Sequence, residues 1–275
     1  MSDKYPPESG RRRFVKGVVG SASLAGVGTV GASSVDLLTS PTGAGGGPTT
    51  FMGIENTAGP APRAMPMLPI EIDDEGYLKG RYPDTKEVTK QGRTVTIAEE
   101  ELGGVTYSIE WFQYCGVQGY QGLQPSYDGD NYLRYGSDAP YTWQQEEVSP
   151  GDRANIRDFA NYETWGNEYG EDGLGKPATL TWRSDGTENT IPVQVLRSTL
   201  VQQAVDEGNQ WLEAATSRGV MAWLNKCTHF CCVPGFKTAT YGNAEDRVYC
   251  PCHQSIYNPF SIVEGSFIAF PRPED

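Results

Sequence analysis

The sequence predicts a mainly β protein, and three observations support that fold class. Glycine and proline are frequent, with 33 and 19 residues among 275, and both residue types interrupt helices and favour turns. Short apolar runs that alternate with polar residues, such as 68–72 and 94–97, are typical of strands. Apolar residues make up 37% of the chain, which is enough to form a hydrophobic core.

The first 35 residues predict an export signal that also forms an N-terminal membrane helix. Arg11 and Arg12 are followed by Phe14, and residues 17–35 carry no charge. This pattern resembles a twin-arginine signal, and its uncharged stretch just spans about 30 Å of hydrocarbon as a helix. Because no clear cleavage site follows, we expect a retained anchor in the cell membrane with the folded part on the outer face. A cleaved signal and a plain basic tail are the alternatives.

The rest of the chain divides into three predicted parts. Residues 36–58 are rich in glycine and threonine and predict a flexible tether. Residues 59–218 predict a β base domain with insertions, which includes a strand pair at 178–196 and a helix at 198–216 capped by Ser198. The last part, residues 219–275, carries the chemistry.

Two further stretches of the sequence have a distinctive composition, one aromatic and one apolar. Residues 111–175 hold tryptophans and tyrosines at irregular spacing, which is typical of aromatic side chains that pack loops onto a core. We assign no chemistry to them. Residues 219–224 are apolar and predict the strand that enters the last part of the chain.

The net charge of −13 excludes binding to nucleic acid by charge attraction. Residues 1–16 hold five basic and two acidic residues, so the remaining chain carries −16. This acidic excess is typical of a protein from a halophilic organism, and an ordinary acidic protein is the alternative. In molar salt the Debye length is about 3 Å, so partners would be recognised by shape and close contact.

Both histidines of the chain stand beside cysteines near the C-terminus. The first box is Cys227-Thr228-His229-Phe230-Cys231-Cys232, and the second is Cys250-Pro251-Cys252-His253-Gln254-Ser255-Ile256-Tyr257. Each box offers a thiolate and an imidazole, a donor set that suits zinc or a mixed iron–sulfur site. A zinc finger usually pairs two cysteines closely and two histidines closely, so this spacing favours the iron–sulfur site.

The two boxes resemble those of Rieske iron–sulfur proteins, C-T-H-x-x-C and C-P-C-H-x-S-x-Y. The resemblance implies one [2Fe–2S] cluster, with Cys227 and Cys250 on one iron and His229 and His253 on the other. Histidine ligation raises the reduction potential of such clusters to within about −150 to +300 mV.

The resemblance also assigns roles to four further residues in the boxes. Cys232 and Cys252 are implied to form a disulfide between the two loops, which requires a compartment outside the reducing cytosol. Ser255 and Tyr257 are implied to donate hydrogen bonds to cluster sulfur, which stabilises the reduced cluster and raises its potential.

The implied fold is an antiparallel β base domain with a small cluster-binding β subdomain, here residues 219–275. The chain departs from the family pattern at Cys231 and Gln254, which stand where the family usually has glycine. Cys231 and Cys115 are the two cysteines left over, and they form either a second disulfide or two buried thiols.

The family's proline-rich loop, often G-P-A-P-R, has two candidate counterparts. Residues 270–273 follow the second box and match partly, whereas residues 59–63 match fully but lie far upstream. The upstream match indicates either a permuted topology, with the closing strands moved to the N-terminal side, or an ordinary proline-rich linker. We prefer the linker interpretation.

The resemblance implies an electron-transfer subunit of a cytochrome bc-type quinol-oxidising complex, which is not catalytic alone. In that complex, His229 and His253 face solvent and accept a hydrogen bond and a proton from quinol. The electron then passes to a cytochrome or blue-copper acceptor, and a cytochrome b-type membrane subunit is the implied partner. The alternative is the small Rieske subunit of an exported molybdenum oxidoreductase such as an arsenite oxidase. Rieske oxygenases and their ferredoxins lack the extra cysteine pair, so Cys232 and Cys252 count against them.

Overall fold

The structure is a computed structural model that describes residues 47–90 and 93–270. The strands are β1 (Gly47–Ala58), β2 (Met65–Pro66), β3 (Ile70–Ile72), β4 (Leu78–Gly80), β5 (Thr85–Lys90), β6 (Arg93–Leu102), β7 (Val105–Ser108), β8 (Leu133–Tyr135), β9 (Lys176–Trp182), β10 (Ile191–Arg197), β11 (Val220–Leu224), β12 (Gly235–Phe236), β13 (Val248–Tyr249) and β14 (Ile256–Ala269). The α-helices are α1 (Thr142–Glu147), α2 (Thr199–Asp206) and α3 (Gln210–Ala215). Short 3-10 helices lie at Ile109–Phe112, Val117–Gly119, Gln121–Leu123, Ile156–Phe159 and Tyr241–Asn243.

The described residues form antiparallel sheets, which confirms the prediction of a mainly β protein. One sheet has five strands in the order β12-β13-β14-β1-β2, and another has four in the order β11-β10-β9-β8. A three-stranded sheet, β5-β6-β7, and the pair β3-β4 complete the set. The two larger sheets meet where Leu68 donates its backbone N–H to the carbonyl of Ala222 at 2.9 Å.

The longest strand pairing corrects the predicted tether. Strand β1 pairs with β14 from Gly47 opposite Ala269 to Ala58 opposite Ile256. Residues 47–58 are therefore a strand, and only 36–46 of the predicted tether lie outside the described residues. The strand forms because Phe51 faces the core on a threonine-rich, β-prone stretch.

The predicted membrane helix at 17–35 lies outside the described residues. Among residues 47–90 and 93–270, no helix is long and apolar enough to cross a bilayer.

The predicted helix at 198–216 is two helices, α2 and α3. Ser198 caps α2 as predicted, since its hydroxyl accepts a hydrogen bond from the backbone N–H of Leu200. Gly208, with a φ of 90°, ends the first helix because only glycine adopts that conformation readily. The strand pair at 178–196 is confirmed as β9 and β10.

The aromatic segment 111–175 packs as predicted. Its tryptophans Trp111, Trp143 and Trp165 are buried in the core, and the segment contains loops, short helices and the three-residue strand β8. Ring pairs between these loops and the sheets contribute to that core.

The sheets bring both boxes to one end of β14. The first box follows β11, as predicted for 219–224, and the second box begins directly after β13 and ends in the first two residues of β14. Strand β11 pairs with β10 and β14 pairs with β1, so both outer strands of 219–275 pair with strands upstream. The expected boundary at residue 219 therefore does not coincide with a break in the sheets.

Candidate metal centre

The two boxes fold into loops with the same backbone hydrogen bonds. In each loop the N–H of the first cysteine donates to the carbonyl five residues on, and its own carbonyl accepts from the N–H four residues on. The bonds are Cys227 N to Cys232 O (2.8 Å), Cys231 N to Cys227 O (2.9 Å), Cys250 N to Ser255 O (2.9 Å) and Gln254 N to Cys250 O (2.9 Å). Both loops therefore present the residues next to their first cysteine at one end of the sheet.

The fifth residue of each loop has a left-handed backbone. Cys231 has a φ of 65° and Gln254 a φ of 62°. These are the two positions at which the family pattern has glycine, so the loops keep a conformation that glycine favours. A side chain there costs about 1–2 kcal/mol per residue.

Cys227 and Cys250 are the two free cysteines among the six in the chain, and both are buried. Their thiols are hydrogen-bonded to each other, and this bond lowers the pKa of Cys227 and raises that of Cys250. The pair therefore gives up its first proton readily and its second only with difficulty. A cation that binds both sulfurs as thiolates would have to displace this second proton.

The other four cysteines form two disulfides. Cys232 and Cys252 are bonded, which confirms the pairing implied by the resemblance. Cys115 is bonded to Cys231, so the leftover cysteines are a disulfide and not two thiols. The sulfur atoms of Cys232, Cys250 and Cys252 lie within 4.8 Å of one another, but only Cys250 offers a thiolate.

The two histidines lie together at the tips of the loops. The ring centroids of His229 and His253 are 4.8 Å apart, with the ring planes at 86°. Nδ1 of His229 is buried and has no hydrogen-bond partner among the described residues, whereas His253 is exposed. The Phe230 ring contacts both imidazoles, at centroid distances of 4.3 and 5.2 Å.

Two hydroxyls approach the thiol of Cys227. The Tyr257 oxygen lies 3.3 Å from Cys227 Sγ and accepts a hydrogen bond from the N–H of Thr228 at 3.2 Å. Burial, together with the contact to Cys227, raises the pKa of Tyr257, so the phenol keeps its proton and can donate to a thiolate. The buried Ser255 hydroxyl also bonds to Cys227 and thereby lowers the pKa of that thiol.

Residues 59–63 pack against both boxes, so the preferred interpretation as an ordinary linker is wrong. The N–H of Ala61 donates to Ser255 Oγ at 3.1 Å, and the carbonyl of Arg63 accepts from Thr228 Oγ1 at 2.7 Å. A side chain at Gly59 would lie 2.5 Å from the carbonyl oxygen of Gln254. The segment reaches the site because β1 ends beside the start of β14. The other candidate loop begins at the exposed Phe270, and residues 271–273 lie outside the described residues.

The segment 109–123 also supports the first box, a contact that the sequence left open through the possible disulfide between Cys115 and Cys231. The hydroxyl of Tyr114 donates to the carbonyl of Lys226 at 2.9 Å, and Cys115 carries the disulfide to Cys231. The bond of Tyr114 to the backbone beside Cys227 had no signal in the sequence.

The donor atoms suit a mixed sulfur and nitrogen site. Two buried free thiols, one buried imidazole nitrogen without a partner and one exposed histidine converge on two disulfide-linked loops. An unpartnered buried nitrogen costs free energy unless it binds something, so a ligand at His229 Nδ1 would relieve that cost. The residues present therefore fit a two-thiolate, two-imidazole metal group.

Comparisons of this chain with protein-family models, with curated proteins and with solved structures find no match.

Proposed function

We propose that this chain is a Rieske-type electron-transfer protein that takes an electron from quinol and passes it to a cytochrome or blue-copper acceptor. The observation that carries the proposal is the convergence of two free thiols and both histidines of the chain on loops joined by the Cys232–Cys252 disulfide.

Four residues would hold the [2Fe–2S] cluster. Cys227 and Cys250 supply thiolates on the buried side, and His229 and His253 supply imidazoles on the side nearer to solvent. When bound, the cluster supplies a one-electron centre with a potential within about −150 to +300 mV.

The histidines would handle the proton of quinol oxidation. Because Nδ1 of His229 is buried, its Nε2 is the nitrogen left to accept a hydrogen bond from a quinol hydroxyl. His253 is exposed at the same tip and can serve the same role. Both thiols are buried, so solvent reaches the site from the side of the histidines.

The surrounding residues stabilise thiolate charge. Tyr257 and Ser255 both contact Cys227. The family resemblance assigns Tyr257 to a cysteine sulfur, which agrees with this contact, and assigns Ser255 to a bridging sulfide of the cluster. Residues 59–63 cover the second box from the N-terminal side, which supports the permuted topology. In that topology the proposed anchor precedes β1 in the chain.

Two disulfides support a location on the outer face of the membrane, since disulfides rarely persist in a reducing cytosol. They also count against a Rieske oxygenase or its ferredoxin. The small subunit of an exported molybdenum oxidoreductase is the alternative complex, and the contact of Tyr257 with Cys227 favours the quinol complex.

Co-purification from detergent-solubilised membranes separates the two complexes. The proposal predicts a cytochrome b-type partner, whereas a molybdenum-containing partner would identify the alternative. Metal analysis of the same preparation tests the cofactor. Two irons and two acid-labile sulfides per chain are expected, and one zinc without labile sulfide would contradict the proposal.

A further inference from the structure

The guanidinium of Arg63 lies among three aromatic rings next to the candidate metal centre. Its central carbon is 4.4 Å from the ring centroid of Phe267, 5.0 Å from that of Tyr114 and 5.6 Å from that of Phe51. Arg63 is half-buried, and no carboxylate among the described residues lies within 4.0 Å of it. Ring faces attract a cation without neutralising it, so this charge has no counter-ion within the part of the chain that the structure describes.

Four other arginines of the described residues, Arg81, Arg134, Arg153 and Arg157, are paired with carboxylates, whereas Arg183 and Arg197 lie over aromatic rings without a carboxylate within 4.0 Å. The pairs include Arg81 with Glu71 and Glu100, Arg134 with Asp130 and Asp185, and Arg153 with Asp130. Arg63 differs from Arg197 in its place, because it lies beside the first box. Burial lowers the pKa of Arg63, as expected for a cation without a counter-ion. Burial raises the pKa of Tyr114, so that phenol stays neutral and does not balance the charge.

Arg63 is joined to the metal centre by two short connections. Its carbonyl accepts from Thr228 Oγ1 at 2.7 Å, and that hydroxyl lies 3.2 Å from the Tyr257 hydroxyl that contacts Cys227. On the other side, the Tyr114 ring under the guanidinium is bonded through its hydroxyl to the backbone of Lys226, next to Cys227.

We propose that Arg63 is an electrostatic tuning residue, whose uncompensated positive charge stabilises the reduced state of the site and raises its reduction potential. This inference rests on the proposed function. One electron enters the site from quinol and no bond of Arg63 changes, so the effect is purely that of a fixed charge on a site that gains one negative charge. Because the guanidinium is half-buried between rings, salt screens it less than a surface charge.

The direct test is the midpoint potential of the full-length Arg63→Met protein. The titration is monitored by the electron paramagnetic resonance (EPR) signal of the reduced cluster. We expect the equilibrium constant for reduction to fall about tenfold, which is about 59 mV for one electron. The g-values should stay unchanged, because no ligand is altered. Arg63→Lys should recover most of the potential, since it keeps the charge.

Arg197→Met is the matched control. Arg197 also lies over an aromatic ring, 4.2 Å from the centroid of Tyr162, without a carboxylate within 4.0 Å among the described residues. It stands opposite Val220, at the end of β11 far from the first box. Its removal should leave the potential unchanged.

A second pair of variants keeps the test valid if Arg63→Met does not fold. Phe267→Glu places a carboxylate beside Arg63, and Phe267→Gln provides the same shape without charge. The glutamate variant should have the lower potential. The role of Arg63 would be overturned if Arg63→Met had the same potential as Arg63→Lys and Phe267→Glu the same as Phe267→Gln, in protein that contains the cluster. The proposed function would then still stand. Wild-type protein that binds no cluster would overturn this inference and the proposed function together.

Discussion

The disulfide between Cys115 and Cys231 gives a prediction whose magnitude follows from the structure. It closes a loop of 116 residues, and in the chain-entropy model such a loop is worth about 5 kcal/mol. Cys231 also has a left-handed backbone. A residue other than glycine loses about 1–2 kcal/mol there, while glycine loses about 0.5–1 kcal/mol more chain entropy on folding. Glycine at this position should therefore be favoured by about 0.5–1 kcal/mol.

Two double variants separate these contributions. Cys115→Ser with Cys231→Ser loses the disulfide and keeps the strained backbone, so its free energy of unfolding should fall by up to about 5 kcal/mol. Cys115→Ser with Cys231→Gly should recover about 0.5–1 kcal/mol of that loss. Gln254→Gly is an independent check, since Gln254 has the same conformation in the second box and should gain stability of the same size.

The assay is guanidinium unfolding of the full-length protein followed by tryptophan fluorescence, with the release of iron measured alongside. A glycine variant no more stable than the serine variant would refute the argument from backbone conformation. A loss near zero in both double variants would refute the disulfide itself.

Three further changes test the surroundings of the metal centre. Tyr257→Phe removes the hydroxyl that contacts Cys227 Sγ and should lower the midpoint potential with the cluster retained; an unchanged potential would rule out that contact in the holoprotein. Replacing Cys232 and Cys252 with serine removes a disulfide whose loop closure stabilises the fold by about 3 kcal/mol, so iron occupancy should fall. Clusters that survive should keep their EPR signature. Full occupancy would show that the disulfide does not hold the two loops in place. Gly59→Ala should displace residues 59–63 and lower iron occupancy, because its Cβ would lie 2.5 Å from a backbone oxygen of the second box. Gly104→Ala is its control, since Gly104 also has a positive φ but nothing within 4 Å; equal losses in both would assign the effect to backbone strain alone.

The local features of the fold and the site were predictable from the sequence. The strand before the first box and the cap at Ser198 follow from residue types at short spacing, and the Cys232–Cys252 disulfide is implied by the family resemblance of the two boxes. The two box patterns cover six and eight consecutive residues, so their loops depend mainly on local chemistry.

The long-range features were not predictable in the same way. Residues 47–58 have the composition of a tether, and they form a strand because β14, about two hundred residues on, supplies their partner. The same pairing brings residues 59–63 to the second box. The composition of 59–63 alone is that of a linker and does not indicate this contact. The surroundings of Arg63 combine rings from three separate parts of the chain, so no single segment contains the signal.

The most direct test of the central claim is the ligation of the cluster by the two histidines. His229 and His253 are the only histidines in the chain, so protein grown with 15N-labelled histidine carries the label on these two residues alone. Pulsed EPR of the reduced protein should detect two strongly coupled 15N nuclei. A reduced cluster without such coupling, or a preparation that contains zinc and no paramagnetic centre, would contradict the account.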